Sequence, residues 1–387
     1  MQPSKKIVIV AGEESGDHHA AVVAIALQEK YPAIHISGIG GKHLREAGVE
    51  LISDLAQFGV TGLSEVLRHA LVIRRAYKAI KAHLRSQKPD LLILVDYPGF
   101  NLRLAHFAKK TLGIRTLYYI SPQIWAWKAN RIHTIRASVD HMAVIFPFEK
   151  QLYKAAGVPV SFVGHPLINT MPSPYDKQAT RERLHLPKQK RLIALLPGSR
   201  QNEIERHMPV LSESAARLCD QFDDLHFIIP VAATIQSDCI HAYFANKNVP
   251  YTLIQGRAVE TMNCSDCVVV ASGTASLECA LLEKPMCIIY KASPLTYLAA
   301  RLLMQVKYLG LCNLLEQKMI VPELLQYDCN AIELTRTLTT LLTNAIYCAR
   351  MQSNLRAMKE SLRAEQADKT LIVLIEEILD MNLRIDD

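Results

Sequence analysis

The sequence lacks any run of about 18 apolar residues, the length that a membrane-spanning helix needs. The start of the chain, MQPSKK followed by a short apolar run, also lacks the apolar core and cleavage site of a signal peptide. Nine cysteines are scattered without a disulfide framework. A single CxxC pair, Cys264 and Cys267, has no second pair to complete a zinc site. We therefore expect a protein of the reducing cytoplasm without a membrane span.

The composition is that of a globular protein with a modest excess of positive charge. Hydrophobic residues make up 50% and charged residues 21% of the 387 residues, a length that favours two domains over one core. The 44 Lys and Arg residues exceed the 37 Asp and Glu residues, which leaves a net charge of +7. This excess suits phosphates, nucleic acid or an acidic lipid surface, and it does not choose among them.

Near-continuously apolar strands alternate with helix-like segments in both halves of the chain, a pattern typical of parallel sheets covered on both faces. The sequence thus predicts an α/β protein of two doubly wound, Rossmann-like domains facing each other across a cleft. The segment 170–177 carries Pro172 and Pro174 and is interpreted as a linker. The predicted domains are 1–170 and 178–345, followed by C-terminal helices at 346–387.

The stretch 191–207, RLIALLPGSRQNEIERH, combines a buried strand, a glycine turn and the start of a helix. Free backbone N–H groups and the positive end of the helix dipole would converge at the turn. Arg200 lies in that turn, where its guanidinium could hold a phosphate at two points. We interpret the stretch as a diphosphate site; the alternative is an ordinary strand-to-helix turn with a solvated arginine.

A second loop in this half, 271–278 (ASGTASLE), also joins a strand to a helix. Its small residues would let a nucleotide approach the backbone closely. Glu278 could accept hydrogen bonds from ribose hydroxyl groups. The competing interpretation is a capped helix with a favourable acid near its start.

Two loops of the first half follow apolar strands and carry carboxylates. The loop 12–17 lacks the G-x-G-x-x-G spacing of a dinucleotide site, which disfavours an NAD-dependent oxidoreductase. Its acids and serine indicate hydroxyl binding. Asp96 stands at the carboxyl end of the strand 90–95, where parallel sheets collect ligands, so it is a candidate general base. The alternative for Asp96 is a turn or N-cap carboxylate.

Two other segments have an alternative that involves only packing. The loop 121–127 holds both tryptophans, whose rings could cover a sugar or a base or simply pack in a core. The segment 62–88 has helical periodicity, seven basic residues from Arg68 to Lys88 and one acid, Glu65. Such a helix can lie on an anionic membrane surface, but on its pattern alone a helix that covers a sheet is favoured.

Several motifs together resemble one known family, lipid-A-disaccharide synthase. The resemblance covers most of the chain, and the motifs occur in the family's order: AGEESGD (11–17), VDYPGFN (95–101), SPQIWAW (121–127), GHP (164–166), LLPGSR (195–200), ASGTASLE (271–278) and NLL (313–315). It implies the GT-B fold and inverting, metal-independent glycosyl transfer without a cofactor. The implied donor is UDP-2,3-diacylglucosamine, the acceptor is 2,3-diacylglucosamine 1-phosphate (lipid X), and the products are the β-1,6-linked lipid A disaccharide 1-phosphate and UDP.

The resemblance also implies roles for individual residues. The catalytic candidates are Asp96, Arg200, Asp17 and Glu13. The substrate-binding candidates are Ser15, Asn101, Ser199, Ser272, Gly273, Thr274, Glu278 and Asn313. Because the chain has no Asp-x-Asp motif, Arg200 and helix N-termini must stabilise the leaving diphosphate without a metal ion. Some relatives carry an acidic residue, proposed as the general base, at the position where this chain has Gly99. Asp96 is our candidate for the general base in this chain, and Asp17 or Glu13 is the next candidate.

Both implied substrates carry acyl chains, so the resemblance strengthens the interpretation of 62–88 as a helix that binds a membrane surface. A second candidate surface is 295–311, rich in Leu, Met and Tyr. We expect a cytoplasmic protein that binds the inner face of the inner membrane peripherally, contacts no nucleic acid, and has its last helix crossing back to the first domain. Homodimerisation is left open. The alternatives are an epimerase acting on UDP-N-acetylglucosamine and a non-catalytic, two-lobed sugar-binding protein.

Overall fold

The computed structural model describes residues 5–55, 70–171, 176–294, 297–298, 306–363 and 369–381. The chain divides into two compact units, Met1–Pro166 with Leu362–Asp387 and Leu167–Ser361. The first division therefore falls a few residues before the segment interpreted as a linker. The helix Ala345–Ser361 belongs to the second unit, and the chain returns to the first unit at Leu362.

A sheet of seven parallel strands, counted over the described residues, forms the centre of the first unit in the order β3-β2-β1-β4-β5-β6-β7. The strands are β1 (Lys6–Ala11), β2 (His35–Gly40), β3 (Glu50–Asp54), β4 (Leu91–Val95), β5 (Arg115–Tyr119), β6 (His141–Val144) and β7 (Val160–Phe162). The helices of this unit before its chain leaves for the second are α1 (Glu14–Lys30), α2 (Lys42–Glu46), α3 (Ala70–Gln87), α4 (Pro98–Phe107), α5 (Arg131–Ser138) and α6 (Pro147–Ala155). A π-helical turn, Ala108–Leu112, continues α4.

The central strands of this sheet are buried along their length because helices cover both faces. All five residues of β4 are buried, as are Ile7–Ala11 of β1. The basic helix α3 packs on this core through Ala76, Ile80 and Leu84, one residue every four. The sheet-covering interpretation of this segment therefore holds for its inner face, while residues 62–69 of the predicted patch lie outside the described residues.

The second unit repeats the plan with six parallel strands in its described part, in the order β10-β9-β8-β11-β12-β13. They are β8 (Arg191–Leu196), β9 (Leu225–Val231), β10 (Tyr251–Gln255), β11 (Cys267–Ala271), β12 (Met286–Tyr290) and β13 (Glu323–Leu325). The helices are α7 (Pro166–Thr170), α8 (Lys177–Arg183), α9 (Gln201–Cys219), α10 (Ser237–His241), α11 (Ala258–Cys264), α12 (Thr274–Leu281), α13 (Leu311–Leu315), α14 (Ala331–Thr343) and α15 (Ala345–Ser361).

Side-chain caps define where several of these helices begin. Asp176 Oδ1 accepts hydrogen bonds from two backbone N–H groups in the first turn of α8. Asn330 caps α14 in the same way through the Glu333 N–H group. Each cap satisfies backbone donors that have no partner within the helix, which is why a short polar residue stands at these positions.

The last helix, α16 (Leu371–Ile378), belongs to the first unit and packs on α1. Its Glu376 is buried and accepts a hydrogen bond of 2.8 Å from the Tyr31 hydroxyl group, and it also forms an ion pair with Lys30. No helix in the described part of the chain is both long and apolar enough to cross a membrane.

The strand order places a topological switch point in each sheet. The chain leaves β1 toward β2 and β3 on one side, and β4 to β7 lie on the other. In the second sheet the same reversal separates β8, β9 and β10 from β11, β12 and β13. Open parallel sheets bind ligands outside the carboxyl ends of the strands at such a point. The loops after β1 and β4, and after β8 and β11, therefore mark the candidate sites.

Candidate functional site

A cavity of about 490 Å³ opens at the carboxyl ends of β8, β9, β10 and β11 in the second unit. Its lining consists of Leu196, Gly198–Arg200, Glu203, Pro230–Ala232, Gly256–Ala258, Val270–Ala275 and Glu278. It thus brings together six candidates that the resemblance implies, which we call the UDP-side residues: Ser199, Arg200, Ser272, Gly273, Thr274 and Glu278. Its volume falls in the range of small-ligand sites, roughly 300–1,000 Å³.

The turn after β8 is built around Gly198, whose φ of +120° is unfavourable for residues with a side chain. A Cβ atom at this position would also lie 2.2 Å from the Glu203 carboxylate. The helix α9 then begins with Arg200 as its N-cap residue, in extended backbone conformation. The predicted strand, glycine turn and helix start are therefore present, with backbone N–H groups directed toward the turn.

Glu203 occupies the anion position that these N–H groups create. Its Oε2 atom accepts hydrogen bonds from the Ser199 N–H group at 2.9 Å and the Arg200 N–H group at 3.3 Å. Its Oε1 atom lies 3.5 Å from Arg200 Nη1. The Arg200 side chain is 61% exposed, so its guanidinium lies at the cavity wall and is accessible to a ligand. The sequence reasoning did not single out Glu203.

His207 supports the same turn from below. Its Nδ1 atom lies 2.6 Å from the Pro197 carbonyl oxygen, and its Nε2 atom accepts a hydrogen bond of 2.9 Å from the Lys291 N–H group. These two partners require a neutral imidazole with its proton on Nδ1. Burial lowers the pKa of His207 from its usual value, which is consistent with that tautomer. His207 therefore fixes the Gly198 turn relative to the end of β12.

The loop after β11 supplies the opposite wall of the cavity. The Ser272 N–H group donates to the Ile289 carbonyl oxygen at 3.0 Å, which fixes the start of the loop on the neighbouring strand. Gly273 and Thr274 are exposed at the start of α12. Glu278 lines the cavity in a partly buried position, and burial raises the pKa of its carboxyl group. Such a carboxyl group is placed to accept hydrogen bonds from sugar hydroxyl groups.

Arg257 is a cavity residue that the sequence reasoning missed. It stands at the start of α11 in a left-handed conformation, with φ of 53°. Its guanidinium contacts both carboxylate oxygens of Glu260, at 3.0 and 2.8 Å. The Gly256 N–H group donates to the Val231 carbonyl oxygen at 2.7 Å and thereby closes the cavity between β9 and β10. The Gly-Arg pair directly after an apolar strand is the signal that could have found it.

The loops after β1 and β4 in the first unit are locked together. Asn101 is fully buried, and its Nδ2 atom donates to the carbonyl oxygens of Val10, Val95 and Asp96 at 3.3, 3.1 and 2.8 Å. A Cβ atom at Gly12 would lie 2.2 Å from the Tyr97 ring, so glycine is required for this approach. Asn101 thus holds the loops after β1 and β4 together through the backbone, and a substrate contact by its side chain stays a prediction.

Asp96 is the carboxylate of these loops with the most perturbed acidity. Burial, and then the nearby charge of Glu13, raise the pKa of Asp96 to about 7. Asp96 and Tyr97 both adopt left-handed conformations, with φ of 45° and 47°. Such strain in non-glycine residues concentrates at functional sites. Asp96 is partly exposed and half ionised near neutral pH, two properties of a general base.

Two predicted site residues make hydrogen bonds within the protein. Asp17 is buried, and its carboxylate accepts hydrogen bonds from the N–H groups of Gly41, His43 and Leu44 at 2.6, 2.8 and 3.3 Å. It therefore caps α2. A catalytic role of Asp17 stays a prediction.

Asn313 is the second of these residues. It is fully buried, and its Oδ1 atom accepts from the Ile320 and Val321 N–H groups at 2.7 and 3.0 Å. Its Nδ2 atom donates to the Val321 carbonyl oxygen at 2.9 Å and to Glu323 Oε1 at 2.7 Å. All hydrogen-bonding capacity of the amide is used within the protein. Asn313 therefore fixes the loop after α13 and cannot contact a substrate in this arrangement.

The tryptophan loop divides into a packed part and an exposed part. Trp125 donates from Nε1 to Glu149 Oε1 at 3.1 Å, and burial raises the pKa of Glu149 to about 8. Trp127 is 42% exposed, with the Lys128 ammonium group 4.6 Å from the ring centroid. Of the two tryptophans, only Trp127 is thus available as an exposed aromatic plane.

Ser15 is exposed in the first turn of α1. No cluster of three or more His, Cys, Asp or Glu residues suited to a metal ion occurs in the described residues.

A family model described as lipid-A-disaccharide synthetase matches residues 7–375. Lipid-A-disaccharide synthase 1 of Legionella pneumophila (strain Lens) is 58% identical over 375 residues, covering 97% of this chain and 98% of that protein. Lipid-A-disaccharide synthase of Geobacter sulfurreducens is 40% identical over 376 residues, covering 97% and 98%.

Solved structures show the same fold at low sequence identity. UDP-GlcNAc 2-epimerase from Neisseria meningitidis, solved with UDP-GlcNAc, matches with a TM-score of 0.63 at 14% identity, covering 97% of this chain and 100% of that one. MurG from Acinetobacter baumannii matches with a TM-score of 0.58 at 14% identity, covering 97% and 100%. The fold is thus the GT-B fold of glycosyltransferases and UDP-sugar epimerases, and these matches extend no further than the fold.

Proposed function

Since the chain belongs to the lipid-A-disaccharide synthase family, we propose that it joins UDP-2,3-diacylglucosamine to lipid X, giving lipid A disaccharide 1-phosphate and UDP. It is a glycosyltransferase of lipid A biosynthesis. We assign the UDP-sugar to the cavity of the second unit and the acceptor to the loops after β1 and β4 of the first.

The observation that carries the assignment of the donor is the convergence of a glycine turn, a helix start and Arg200 on one cavity. A departing diphosphate gains negative charge as the bond from its oxygen to the sugar breaks. An arginine and aligned N–H groups stabilise that charge, because they are oriented before the reaction begins. Glu278, on the opposite wall, is assigned to the ribose hydroxyl groups, and Ser272 to Thr274 to the close approach of the nucleotide.

The acceptor chemistry requires a base near the acceptor hydroxyl group. In the proposed step, the hydroxyl oxygen attacks the anomeric carbon as the bond to the β-phosphate oxygen breaks, so the configuration inverts. Asp96 accepts the hydroxyl proton, and UDP leaves with the bonding electron pair. The pKa of about 7 for Asp96 supports this role, since a base works best when its pKa is near the working pH. Glu13 contributes by raising that pKa.

We further propose that α3 meets the membrane surface that holds both lipid substrates. Its outer side exposes Arg74, Arg75, Lys78 and Arg85, and Leu71 is 69% exposed at its start. Basic side chains next to an exposed apolar one suit an anionic lipid surface. The second candidate surface, 295–311, lies largely outside the described residues. Homodimerisation stays a prediction without structural support.

The function is tested by incubating the protein with UDP-2,3-diacylglucosamine, with and without lipid X, and measuring UDP and disaccharide. We expect UDP release only when lipid X is present, in amounts equal to the disaccharide. An epimerase would convert the donor without an acceptor, and a binding protein would release no UDP. UDP release that does not depend on lipid X would therefore refute the proposed reaction.

A further inference from the structure

The carboxylate of Glu203 already occupies the anion position that the proposed function assigns to the donor diphosphate. Its Oε2 atom accepts from the N–H groups of Ser199 and Arg200, the two amides that point into the glycine turn. Its Oε1 atom faces Arg200 Nη1 at 3.5 Å. A phosphate bound at the start of a helix uses the same set of donors, namely consecutive backbone N–H groups and a guanidinium group. The glycine turn thus holds an anion that the chain itself supplies.

Packing around Glu203 leaves no room for both anions. The side chain is only 18% exposed and lies against Gly198, where a Cβ atom would approach Oε2 to 2.2 Å. While the carboxylate stays there, a phosphate oxygen cannot reach the Ser199 N–H group. A second negative charge placed beside it would also be repelled, and more strongly than in bulk water because the site is partly buried.

We propose that Glu203 is an internal stand-in for the donor diphosphate, which UDP-sugar displaces on binding and which returns when UDP leaves. This inference rests on the proposed function, because it takes the cavity to be the UDP site. In the empty protein the carboxylate satisfies the two N–H groups and keeps the turn in its binding geometry. On binding, phosphate oxygens replace it as acceptors. Glu203 is therefore a positioning residue that weakens UDP binding and favours product release.

A capping residue that never moves would give the opposite result. Glu203 is the third residue of α9 and accepts a hydrogen bond from the N–H group of the N-cap residue Arg200, so it could simply stabilise the helix start. Its removal would then loosen the turn and weaken UDP binding. The two roles differ in the sign of the change in affinity.

The test compares Glu203→Gln with the wild-type protein by calorimetric titration of UDP. Glutamine keeps a carbonyl oxygen that can accept both N–H groups, so it preserves the cap while removing the charge. We expect the Kd for UDP to fall by about tenfold, and the Kd for uridine, which has no phosphate, to stay unchanged. The difference in the Kd for UDP between Glu203→Gln and the wild-type protein should become smaller as the salt concentration rises, because salt screens the repulsion between charges.

Glu205→Gln is the matched control, since Glu205 is exposed on the same helix two residues further on. It removes the same charge and should leave the Kd for UDP unchanged. An equal or weaker UDP affinity in Glu203→Gln, or the same gain for uridine, would overturn the stand-in role.

Two further outcomes separate the inference from the proposed function. If the wild-type protein does not bind UDP, the proposed function fails before Glu203 is tested. If Glu203→Gln does not fold, a crystal structure of the wild-type protein with UDP decides the question. The stand-in role then requires that the Glu203 carboxylate has left hydrogen-bond distance of the Ser199 N–H group and that a phosphate oxygen has replaced it. A carboxylate still bonded to that N–H group would overturn it.

Discussion

At the scale of single residues, the exposed side chain of Arg200 at the cavity wall is the group most important for the proposed transfer. Because this group stabilises charge that develops on the leaving diphosphate, Arg200→Ala should lower kcat by about 100- to 1,000-fold. The measurement is disaccharide formation at saturating concentrations of both substrates.

Arg217→Ala is the control for the loss of a positive charge on the same helix, since Arg217 is exposed and paired with Glu213. It should keep full activity. Arg200→Ala with a wild-type rate would mean that the diphosphate is stabilised by other groups.

The raised pKa of Asp96 predicts that the rate of transfer depends on pH. Its carboxyl group must be ionised to accept a proton, and burial together with Glu13 raises its pKa to about 7. The kcat/KM should therefore increase about tenfold per pH unit below pH 7 and level off above it. Asp96→Asn should bind UDP normally and lose turnover, and turnover that survives would place the base elsewhere.

Glu13→Gln provides a sharper check of the same base. Its negative charge is the second cause of the raised pKa of Asp96, after burial. Removing that charge should shift the acidic limb of the pH profile to lower pH while the plateau rate falls less than in Asp96→Asn. A limb that stays in place would show that another group controls the profile.

Residue types and spacing predicted which loops form the sites better than which side chains face a ligand. The six UDP-side residues do share one cavity. Asp17, however, accepts hydrogen bonds from backbone N–H groups 24 to 27 residues further along the chain. Asn313 accepts hydrogen bonds from backbone N–H groups 7 and 8 residues further along. A sequence does not show which amides will fold back onto a carboxylate or amide side chain. Glu203 was overlooked for the same reason.

At the scale of elements, the docking of α16 on α1 depends on one buried carboxylate. Glu376→Ala would leave the Tyr31 hydroxyl group and the Lys30 ammonium group without their partner. We expect the free energy of unfolding to fall by about 1–3 kcal/mol, as measured by urea denaturation.

The neighbouring residue offers a matched control. Glu377 is 44% exposed and pairs with Lys369, so Glu377→Ala should cost no more than about 0.5 kcal/mol. Equal losses in the two variants would show that α16 is not held through Glu376.

The outer side of α3 makes the membrane proposal testable. Replacing Arg74, Arg75 and Lys78 with Glu should reduce co-sedimentation with vesicles of anionic lipid at least severalfold, since each basic residue near such a surface contributes about 1 kcal/mol. The same replacement at Arg217, Arg336 and Arg350, exposed residues of the second unit, changes the net charge equally and should have little effect. Equal binding by both triple variants would leave α3 as a sheet-covering helix only.

Elements with strong patterns were predictable, and special backbone conformations were not. The apolar runs of β4, β8 and β11 predicted buried parallel strands. The helical spacing of the apolar residues in α3 predicted its buried face. The left-handed turns at Asp96–Tyr97 and at Arg257 leave no such pattern, because long-range packing imposes them on residues that ordinarily avoid this region.

At the scale of the whole molecule, alternation of strands and helices predicted two parallel sheets, whereas their strand order depends on pairings between distant segments. That order puts the switch points at β1/β4 and β8/β11, where the motif loops lie. The family motifs mark these four loops in the sequence, which periodicity alone does not. The exact limits of the two units also followed from packing, as the place of Ala345–Ser361 shows.

The central claim is that UDP binds in the cavity of the second unit and not at the loops of the first. Hydrogen exchange of backbone amides, measured with and without UDP, tests this directly. We expect UDP to slow the exchange of amides in 198–204, 256–261 and 272–279, and to leave exchange in 12–17 and 96–101 unchanged. Slower exchange confined to 12–17 and 96–101 would contradict it.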